Sequence, residues 1–412
     1  MNKIFRVFSF SALCAIPALI LSNTTAFAAD GYYKGKTLKV VVRSAPGGGY
    51  DFYGRLISRH MPKYIPGKPG VIVQNMPGAG GIVAANYMAQ RAKRNGTEIA
   101  ILTRELALAQ RVGEIGVKYD LRKLNAIGSA ASSTFLMTLH RDHAVKTYAQ
   151  LKTHNKTVRF AATGPGAGSY QYPSILKADG FPVKIISGII GGQARFLSIE
   201  RGDTHGTANS YESTRKAIEE FKLNVFLYNG APHPALKGVP HISTQLSKNG
   251  KALAALLGAP LAAGRPFYTT PDVPNDRLKI LRSAFKAALS DPDLLKEAKR
   301  AKRNIRYTNP KVMSSIANEV LSASDDVIKR FKAGSKKTYV THKGKVTKTK
   351  KKNKRIWISY KGKEVMAKVS GKRTKVTVNG KKVKRKKIKV GMTCSIKYPH
   401  PGAEAKKIDC KK

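Results

Sequence analysis

Short apolar runs alternate with helix-like segments through the first third of the chain. A run at residues 38–42 precedes a helix-like segment at 51–63, and a run at 71–75 precedes a more apolar segment at 82–93. A third run, 99–102, again leads into a segment with helical spacing. Strands that alternate with helices usually pair in parallel, so the pattern predicts an α/β fold with helices on both faces of a parallel sheet.

The alternation resumes after residue 133. Strand-like runs at 158–162 and 183–186 are each followed by a helix-like segment, and residues 224–228 form a further run. A long amphipathic segment at 311–331 predicts a helix that closes this part of the chain. The pattern therefore predicts a second set of strands and helices that resembles the first.

The hydrophobic pattern changes after Gly334. Residues 343–355 are rich in lysine and contain few apolar side chains, so we expect 335–355 to be a Lys-rich linker. Beyond it, short alternating runs are separated by turn signals such as Asn379-Gly380, a strong indicator of a hairpin. The segment 335–412 is therefore predicted to be basic and β-rich, with a small antiparallel β domain that is barrel-like.

The first 28 residues have the composition of a secretory signal peptide. Lys3 and Arg6 precede an apolar run at 7–21, and Ala26-Phe27-Ala28 fits a cleavage site after Ala28. The apolar run is shorter than the roughly twenty residues that span a bilayer. The sequence therefore predicts that residues 1–28 are removed and that the mature protein is located in the periplasm.

The chain contains three cysteines, and only Cys14 lies within the predicted signal peptide. Cys394 and Cys410 remain in the exported protein, where an oxidising environment favours a disulfide between them. No group of cysteines and histidines has the spacing of a zinc site, so we expect no bound metal.

The net charge of the chain, +52, is unevenly distributed. Residues 335–412 contain 28 lysines and arginines and 3 acidic residues, a net charge of +25. Such a segment can attract a polyanion or the surface of the cell envelope. The alternative is a solvated, lysine-faced structural domain, and export argues against nucleic acid as the partner.

Glycine-rich turns follow three of the predicted strands and precede helices, at residues 44–51, 76–81 and 163–170. Glycine lets the backbone approach a ligand closely, and a helix N-terminus offers free N–H groups and partial positive charge. Sheets of this kind bind ligands at the carboxyl ends of their strands. The turns therefore predict a cradle for an anionic or carbonyl oxygen.

The same turns do not match the motifs of nucleotide-binding enzymes. Gly164, Gly166 and Gly168 lack the spacing of a dinucleotide motif, and residues 47–49 lack the lysine and hydroxyl residue of a P-loop. Histidines are scattered along the chain, and no motif places a base beside a nucleophile. We therefore expect no enzymatic activity and no cofactor.

Two motifs occur in the order and with the spacing of a known family. Ala45-Pro46-Gly47-Gly48-Gly49-Tyr50-Asp51 follows the first predicted strand, and Gln74-Asn75-Met76-Pro77-Gly78-Ala79-Gly80-Gly81 follows the second. Residues 33–334 therefore resemble the tripartite tricarboxylate transporter substrate-binding family, also called the Bug family of periplasmic solute receptors. The resemblance does not extend to residues 335–412.

The resemblance implies a two-lobed periplasmic binding protein of type II, the Venus flytrap. Lobe 1 would comprise residues 29–132 and 255–334, and lobe 2 would comprise 133–254. The ligand would be a small organic anion, a carboxylate, which the receptor delivers to the membrane subunits of a tripartite transporter. Two alternatives remain open: an envelope or polyanion-binding protein that acts through its basic C-terminal module, and an orphan ligand sensor for a signalling partner.

The ligand-binding residues that the resemblance implies come from turns in both lobes. They are Pro46, Gly47, Gly48, Gly49, Tyr50, Asp51, Pro77, Gly78, Ala79, Gly80, Thr103, Ser133, Thr163, Gly164, Gly168, Ser169 and Asn209. Asp51 also fits the role of a helix cap that accepts backbone N–H groups. Met76 replaces the usual arginine of the second turn, and residues 189–192 depart from the usual loop, so the ligand could differ from the dicarboxylates of the family.

Overall fold

The computed structural model describes residues 31–334, 340–360, 362–371, 373–398, 402 and 404–411. The predicted signal peptide lies outside the described residues. Two α/β lobes are followed by a β-rich C-terminal module, which confirms the predicted fold class. The strands of the two lobes are β1 (Thr37–Val42), β2 (Gly70–Asn75), β3 (Glu98–Ile101), β4 (Asn125–Ser129), β5 (Phe135–His140), β6 (Val158–Ala162), β7 (Val183–Ser187), β8 (Gly206–Ser210), β9 (Leu223–Asn229) and β10 (Pro266–Thr269).

The α-helices of the described residues belong to the two lobes. They are α1 (Gly49–His60), α2 (Ile82–Gln90), α3 (Leu106–Arg111), α4 (Tyr148–Thr153), α5 (Gly168–Ala178), α6 (Gly192–Glu200), α7 (Tyr211–Glu220), α8 (Ile242–Gln245), α9 (Lys248–Gly258), α10 (Asn275–Leu289), α11 (Pro292–Arg300), α12 (Pro310–Leu321) and α13 (Asp325–Gly334). Within the described ranges, no helix combines the length and the apolarity that crossing a bilayer requires.

The first lobe is built around a five-stranded sheet with the order β2-β1-β3-β10-β4. β1 pairs in parallel with β2 and β3, and β10 pairs antiparallel with β3 and β4. Val40 and Val42 of β1 pack with Tyr53 in one apolar cluster, whereas Val41 faces the opposite cluster, which contains Met88. Because both faces of β1 are covered by apolar side chains, its sequence is a continuous apolar run.

The second lobe contains a five-stranded sheet with the order β7-β6-β8-β5-β9. β6 is parallel to β7 and β8, and β5 is antiparallel to β8 and β9. The chain passes into this lobe between β4 and β5 and returns between β9 and β10. The carboxyl ends of the parallel strands of both sheets therefore lie beside the gap between the lobes.

Two helices depart from the expected lobe boundaries. α9 spans the boundary expected between residues 254 and 255 and packs against α5 of the second lobe. α13 also packs on α5. The two helices are so close at Gly334 that an added Cβ there would be 2.5 Å from the Ala178 Cβ. The expected extension of lobe 1 to residue 334 is therefore corrected: the chain returns to the second lobe.

The single helix predicted at 311–331 is two helices, α12 and α13. The break lies at Ser322–Ser324, where the Ala323 carbonyl accepts a hydrogen bond from Arg111. Asp325 then begins α13 and forms an ion pair with Arg111 at 2.7 Å. Arg111 thus fixes the break by holding both sides of it, and this contact crosses more than two hundred residues of sequence.

The C-terminal module is a seven-stranded sheet with the order β13-β12-β11-β16-β17-β14-β15. Its inner face forms a separate apolar cluster that includes Ile356, Ile358, Ile396 and Ile408. The pairs are antiparallel except for β14 with β17, which is parallel. The strands are β11 (Val340–Lys350), β12 (Arg355–Tyr360), β13 (Lys363–Lys368), β14 (Lys375–Val378), β15 (Lys381–Lys382), β16 (Thr393–Tyr398) and β17 (Lys407–Lys411).

Two expectations about this module are corrected. The lysine-rich segment is not wholly a linker, because residues 340–350 form β11, which pairs with β16 and β12 and buries Val346. The lysines of this strand are exposed to solvent, so its sequence has a low apolar content even though it pairs on both sides. The sheet also does not close into a barrel among the described residues, since β13 and β15 are not paired with each other.

The predicted disulfide between Cys394 and Cys410 is confirmed. The two residues face each other on β16 and β17, with their Cα atoms 4.0 Å apart. Both cysteines are buried in the apolar cluster of the module. The bond therefore ties two central strands of the sheet together.

Three histidines that are scattered in the sequence pack together on the second lobe. The His143 ring lies 4.7 Å from the ring of His205 and 5.5 Å from that of His154, measured between centroids. Burial, together with the charge of Arg159 and the neighbouring histidines, lowers the pKa of His205 to about 4. His205 is therefore neutral in the folded protein at pH values where an exposed histidine is protonated.

We expect the free energy of unfolding to decrease as the pH falls from 6.5 to 4. In this range the unfolded chain binds a proton at His205 that the folded chain does not bind, so acid favours unfolding. The part that His205 contributes should be on the order of 2 kcal/mol. Urea denaturation of the wild type and His205→Gln at pH 7 and pH 4.5 measures this difference, and an identical pH dependence in both proteins would contradict the assignment.

Candidate functional site

A cavity of about 370 Å³ lies between the two lobes, at the ends of their parallel strands. It is lined by glycine turns, helix N-termini and five arginines. The lining residues are Arg43, Ser44, Ala45, Pro46, Gly47, Gly48, Gly49, Tyr50, Pro77, Gly78, Arg104, Glu105, Phe135, Thr163, Ala167, Gly168, Ser169, Ile190, Gly191, Gly192, Gln193, Ala194, Arg195, Phe196, Asn209, Ser210, Ser213, Arg265 and Arg303.

Most of the residues expected from the sequence line this cavity. Those that line it are Pro46, Gly47, Gly48, Gly49, Tyr50, Pro77, Gly78, Thr163, Gly168, Ser169 and Asn209. Those that do not line it are Asp51, Ala79, Gly80, Thr103, Ser133 and Gly164. The second group has structural roles around the cavity, which differ from the ligand contact expected for them.

Asp51 holds the first turn in shape. Its buried carboxylate accepts hydrogen bonds from the Gly47 N–H at 3.0 Å, from Asn75 at 2.8 Å and from Arg55 at 3.1 Å. Burial alone would raise the pKa of Asp51, but these bonds lower it overall. Asp51 is therefore bound within the turn, and the Gly47 N–H is already used by this carboxylate. The expected role as a cap is close to this result, although the N-cap residue of α1 is Gly48.

Gly48→Val should weaken ligand binding at least about tenfold without unfolding the protein. A Cβ at Gly48 would meet no atom closer than 3.8 Å, and its φ of −90° suits any residue, so the fold should tolerate valine. The side chain would stand on the wall of the cavity and take space from a ligand. Gly70→Val on β2, outside the cavity, is the matched control. Calorimetric titration of both variants with malate makes the comparison, and equal affinities would show that this turn is not the binding wall.

The second turn contacts the opposite lobe directly. The Ala79 carbonyl accepts a hydrogen bond from the Gly166 N–H at 3.2 Å. An added Cβ at Gly80 would lie 2.5 Å from the Ala167 nitrogen, and one at Gly164 would lie 2.9 Å from the Ala79 carbonyl carbon. These glycines allow two backbones to touch across the gap between the lobes. The structure is therefore closed here, and Ala79, Gly80 and Gly164 form the contact between lobes.

Thr103 and Ser133 support arginines and do not reach the cavity. The Thr103 hydroxyl accepts a hydrogen bond from Arg43 at 3.1 Å and donates one to Glu105. The Ser133 hydroxyl accepts one from Arg104 at 3.3 Å. Both hydroxyl residues are buried, so each serves to orient a longer, charged side chain.

Four helices begin at the cavity wall. α1 contributes Gly49 and Tyr50, α5 contributes Gly168 and Ser169, and α6 and α7 reach it with their first turns. The first N–H groups of a helix have no partner within the helix, and each helix start has a partial positive charge of about one half. Four such ends around one small cavity favour an anion.

Arg43 and Arg195 add full positive charge from opposite lobes. Arg43 follows β1, and its guanidinium lies 4.4 Å above the centre of the Tyr50 ring. Arg195, on α6, donates to the hydroxyl of Thr163 at 2.6 Å. Both arginines are over 90% buried, and burial lowers the pKa of each; burial and the nearby Arg43 charge lower that of Arg195 to about 10. The hydrogen-bond partners found for them in the described chain are neutral hydroxyls.

Of the other three arginines, Arg104 and Arg265 are partly neutralised by carboxylates. Arg104 forms an ion pair with Glu105 at 3.0 Å, and Arg265 approaches Glu212 at 3.8 Å. Arg303 donates to the backbone carbonyl of Glu212. Five arginines and one carboxylate, that of Glu105, therefore line the cavity. In the part of the chain that the structure describes, the buried Arg43 Nε has no hydrogen-bond partner, and neither has the Ser44 hydroxyl.

Solved structures share this arrangement of lobes. The chain is similar to the periplasmic binding protein BugD, with a TM-score of 0.60 and 18% identity over 74% of this chain and 100% of that chain. It is also similar to MatC from Rhodopseudomonas palustris with bound malate (TM-score 0.57, 19% identity, 71% and 99%) and to an R. palustris protein with adipate (0.58, 16%, 72% and 97%). The two lobes have the periplasmic binding-protein fold. No protein-family model and no curated protein matches the sequence.

The binding-protein fold covers the two lobes and does not explain the whole chain. The three matched structures cover 71–74% of this chain and nearly all of their own length. About a quarter of the chain therefore lies outside the likeness. At these identities the likeness concerns the fold, so the chemistry of the cavity must be inferred from its own residues.

The sequence predicts the glycine turns that line the cavity but not the arginines that line it. Met76, in place of an arginine, suggested that a guanidinium was lost near the second turn, whereas five guanidiniums line the cavity. Arg43 and Arg104 each stand just after a predicted strand, so their position at a strand end was a usable signal. Arg265 and Arg303 had no such signal, because only the folded chain brings them to the cavity.

Proposed function

We propose that this chain is a periplasmic receptor that captures a small organic dicarboxylate or tricarboxylate between its lobes. The observation that carries the proposal is the cavity between the lobes, with five arginines and four helix N-termini on its wall. A cavity of about 370 Å³ fits a small acid, and its charge selects an anion. The binding-protein fold supports the proposal, as do the malate and adipate bound by two proteins of similar structure.

Capture would occur by closure of the two lobes. Arg43 and Arg195 come from different lobes, and an unliganded closed state brings two buried cations together. An anion between them offsets this repulsion and so stabilises the closed state relative to the open one. The receptor would then deliver the ligand to the membrane subunits of a tripartite tricarboxylate-type transporter. Under this proposal the chain binds its ligand without chemical change and needs no cofactor.

Thermal unfolding with a panel of small acids tests the proposal. Malate, succinate, adipate and citrate are each added to the purified protein, and dimethyl malate serves as the neutral control. A ligand at 100 times its Kd should raise the melting temperature by about 5 °C. The neutral ester should have no effect, because it lacks the charges that the arginines require. If no acid of the panel raises the melting temperature, the proposal fails.

A further inference from the structure

The outer face of the C-terminal sheet carries a cluster of lysines, called here the lysine face. The strands β11, β16, β17 and β14 are neighbours, and on β16 the buried residues Cys394, Ile396 and Tyr398 alternate with outward-facing ones. Residues paired across neighbouring strands lie on the same face of a sheet. The pairing therefore places six lysines on the outer face: Lys343, Lys345, Lys375, Lys397, Lys407 and Lys411.

We propose that the lysine face binds an anionic polysaccharide. Three of its lysines form a row across adjacent strands, because Lys397 pairs with Lys407 and Lys407 pairs with Lys375. Adjacent strands are about 4.8 Å apart, so the row places three positive charges within about 10 Å. Like charges directly opposite each other destabilise a sheet. A linear polyanion laid across the strands would remove this cost and gain one contact from each strand.

One carboxylate does not neutralise the lysine face. Asp409 forms an ion pair with Lys407 at 2.7 Å and accepts a hydrogen bond from Thr377. Although burial favours its neutral form, these hydrogen bonds and the charge of Lys375 lower the pKa of Asp409. Its charge is therefore retained at neutral pH, and the face still carries six lysines against one acid.

The side chains between the lysines favour a polysaccharide over the other polyanions. Thr341, Thr393 and Ser395 share the lysine face, and hydroxyls can exchange hydrogen bonds with sugar hydroxyls. In the described parts of these four strands the face has no aromatic side chain, although Trp357 lies beside Lys348 where β12 adjoins β11. Stacking on the bases of single-stranded nucleic acid depends on such side chains. Tyr398, on β16, is buried on the opposite face of the sheet and hydrogen-bonded to His342.

Two triple variants of the full-length protein test the proposal. The first replaces the row (Lys375→Gln, Lys397→Gln, Lys407→Gln), and the second removes the same charge elsewhere in the module (Lys384→Gln, Lys386→Gln, Lys387→Gln). Binding to polygalacturonate and to heparin is measured in 0.15 M NaCl. The row variant should lose affinity on the order of 100-fold, about a factor of five for each lysine at an anionic surface. The control variant should lose less than about fivefold.

Circular dichroism establishes that the row variant keeps its sheet. The double variant Lys343→Gln, Lys345→Gln is a second variant on the lysine face. Equal losses in the row and control variants would overturn the proposal, because attraction would then depend only on total charge. Absence of binding to both polysaccharides would also overturn it. Tighter binding to a 20-base-pair DNA duplex or to vesicles with phosphatidylglycerol, lost in the row variant, would assign the face to those partners instead.

Discussion

Arg195→Gln should weaken the binding of malate, or of the best acid found in the panel, on the order of 100-fold. Arg195 is over 90% buried and lines the cavity. Its hydrogen-bond partners in the described chain are hydroxyls, and the same is true of Arg43, which is also buried in the cavity wall. Without Arg195, a ligand carboxylate in the cavity would be buried with one positive charge fewer to compensate it, and this causes the expected loss of affinity. Isothermal titration calorimetry measures it.

The same substitution should leave the unliganded protein equally stable or more stable. The lowered pKa of Arg195 shows that its charged form is disfavoured by burial and by Arg43. Glutamine keeps a hydrogen-bonding side chain near Thr163 but removes the charge. A variant that loses both ligand affinity and stability would point to a role in the fold. Arg201→Gln, at the exposed end of α6, is the matched control and should change neither property.

Much of the fold could be predicted because local sequence and tertiary structure agree in the lobes. Continuous apolar runs became strands covered on both faces, and the glycine turns became strand–helix joints. The agreement ends where a contact between distant residues decides the structure. Arg111 breaks the last predicted helix through a contact with Ala323, and β11 is formed from lysine-rich sequence by pairing with β16. A local window of sequence around residue 323 does not contain Arg111, and one around β11 does not contain β16.

The candidate site was predictable in its backbone but not in its charge. A glycine turn after a strand predicts where a ligand approaches the main chain, and Gly48 and Gly168 line the cavity. The arginines at 195, 265 and 303 are far apart in the sequence, and nothing in their neighbours distinguishes them from surface arginines. In a chain with a net charge of +52, basic residues are too common for charge alone to locate a site.

Glycine itself has two physical uses in this site, and the sequence cannot separate them. At Gly48 the small size of glycine leaves space in the cavity, whereas at Gly80 it leaves space for the backbone of the other lobe. Both uses require a glycine in the same kind of motif. This ambiguity explains why Gly80 and Gly164 were expected to contact ligand, whereas they lie at the contact between the lobes.

Gly80→Ala should therefore prevent full closure and lower ligand affinity roughly 10- to 100-fold. A Cβ at Gly80 would lie 2.5 Å from the Ala167 nitrogen and 2.7 Å from the Gly166 carbonyl carbon. Backbone atoms cannot move aside as a flexible side chain can, so the lobes must separate. Small-angle X-ray scattering with and without saturating acid measures closure, and calorimetry measures affinity. The wild type should become more compact with ligand, and the variant should not.

The backbone conformation of Gly80 requires its own control, because its φ of +74° is strained for alanine in any environment. Gly202 has a φ of +71°, and an added Cβ there would meet nothing within 4 Å. Gly202→Ala therefore carries the same strain, about 1 kcal/mol of stability, without a clash between lobes. Both variants should lose similar stability, but only Gly80→Ala should lose closure. If Gly202→Ala impairs closure and affinity equally, strain explains the effect, and the contact at Gly80 is not what completes the closed state.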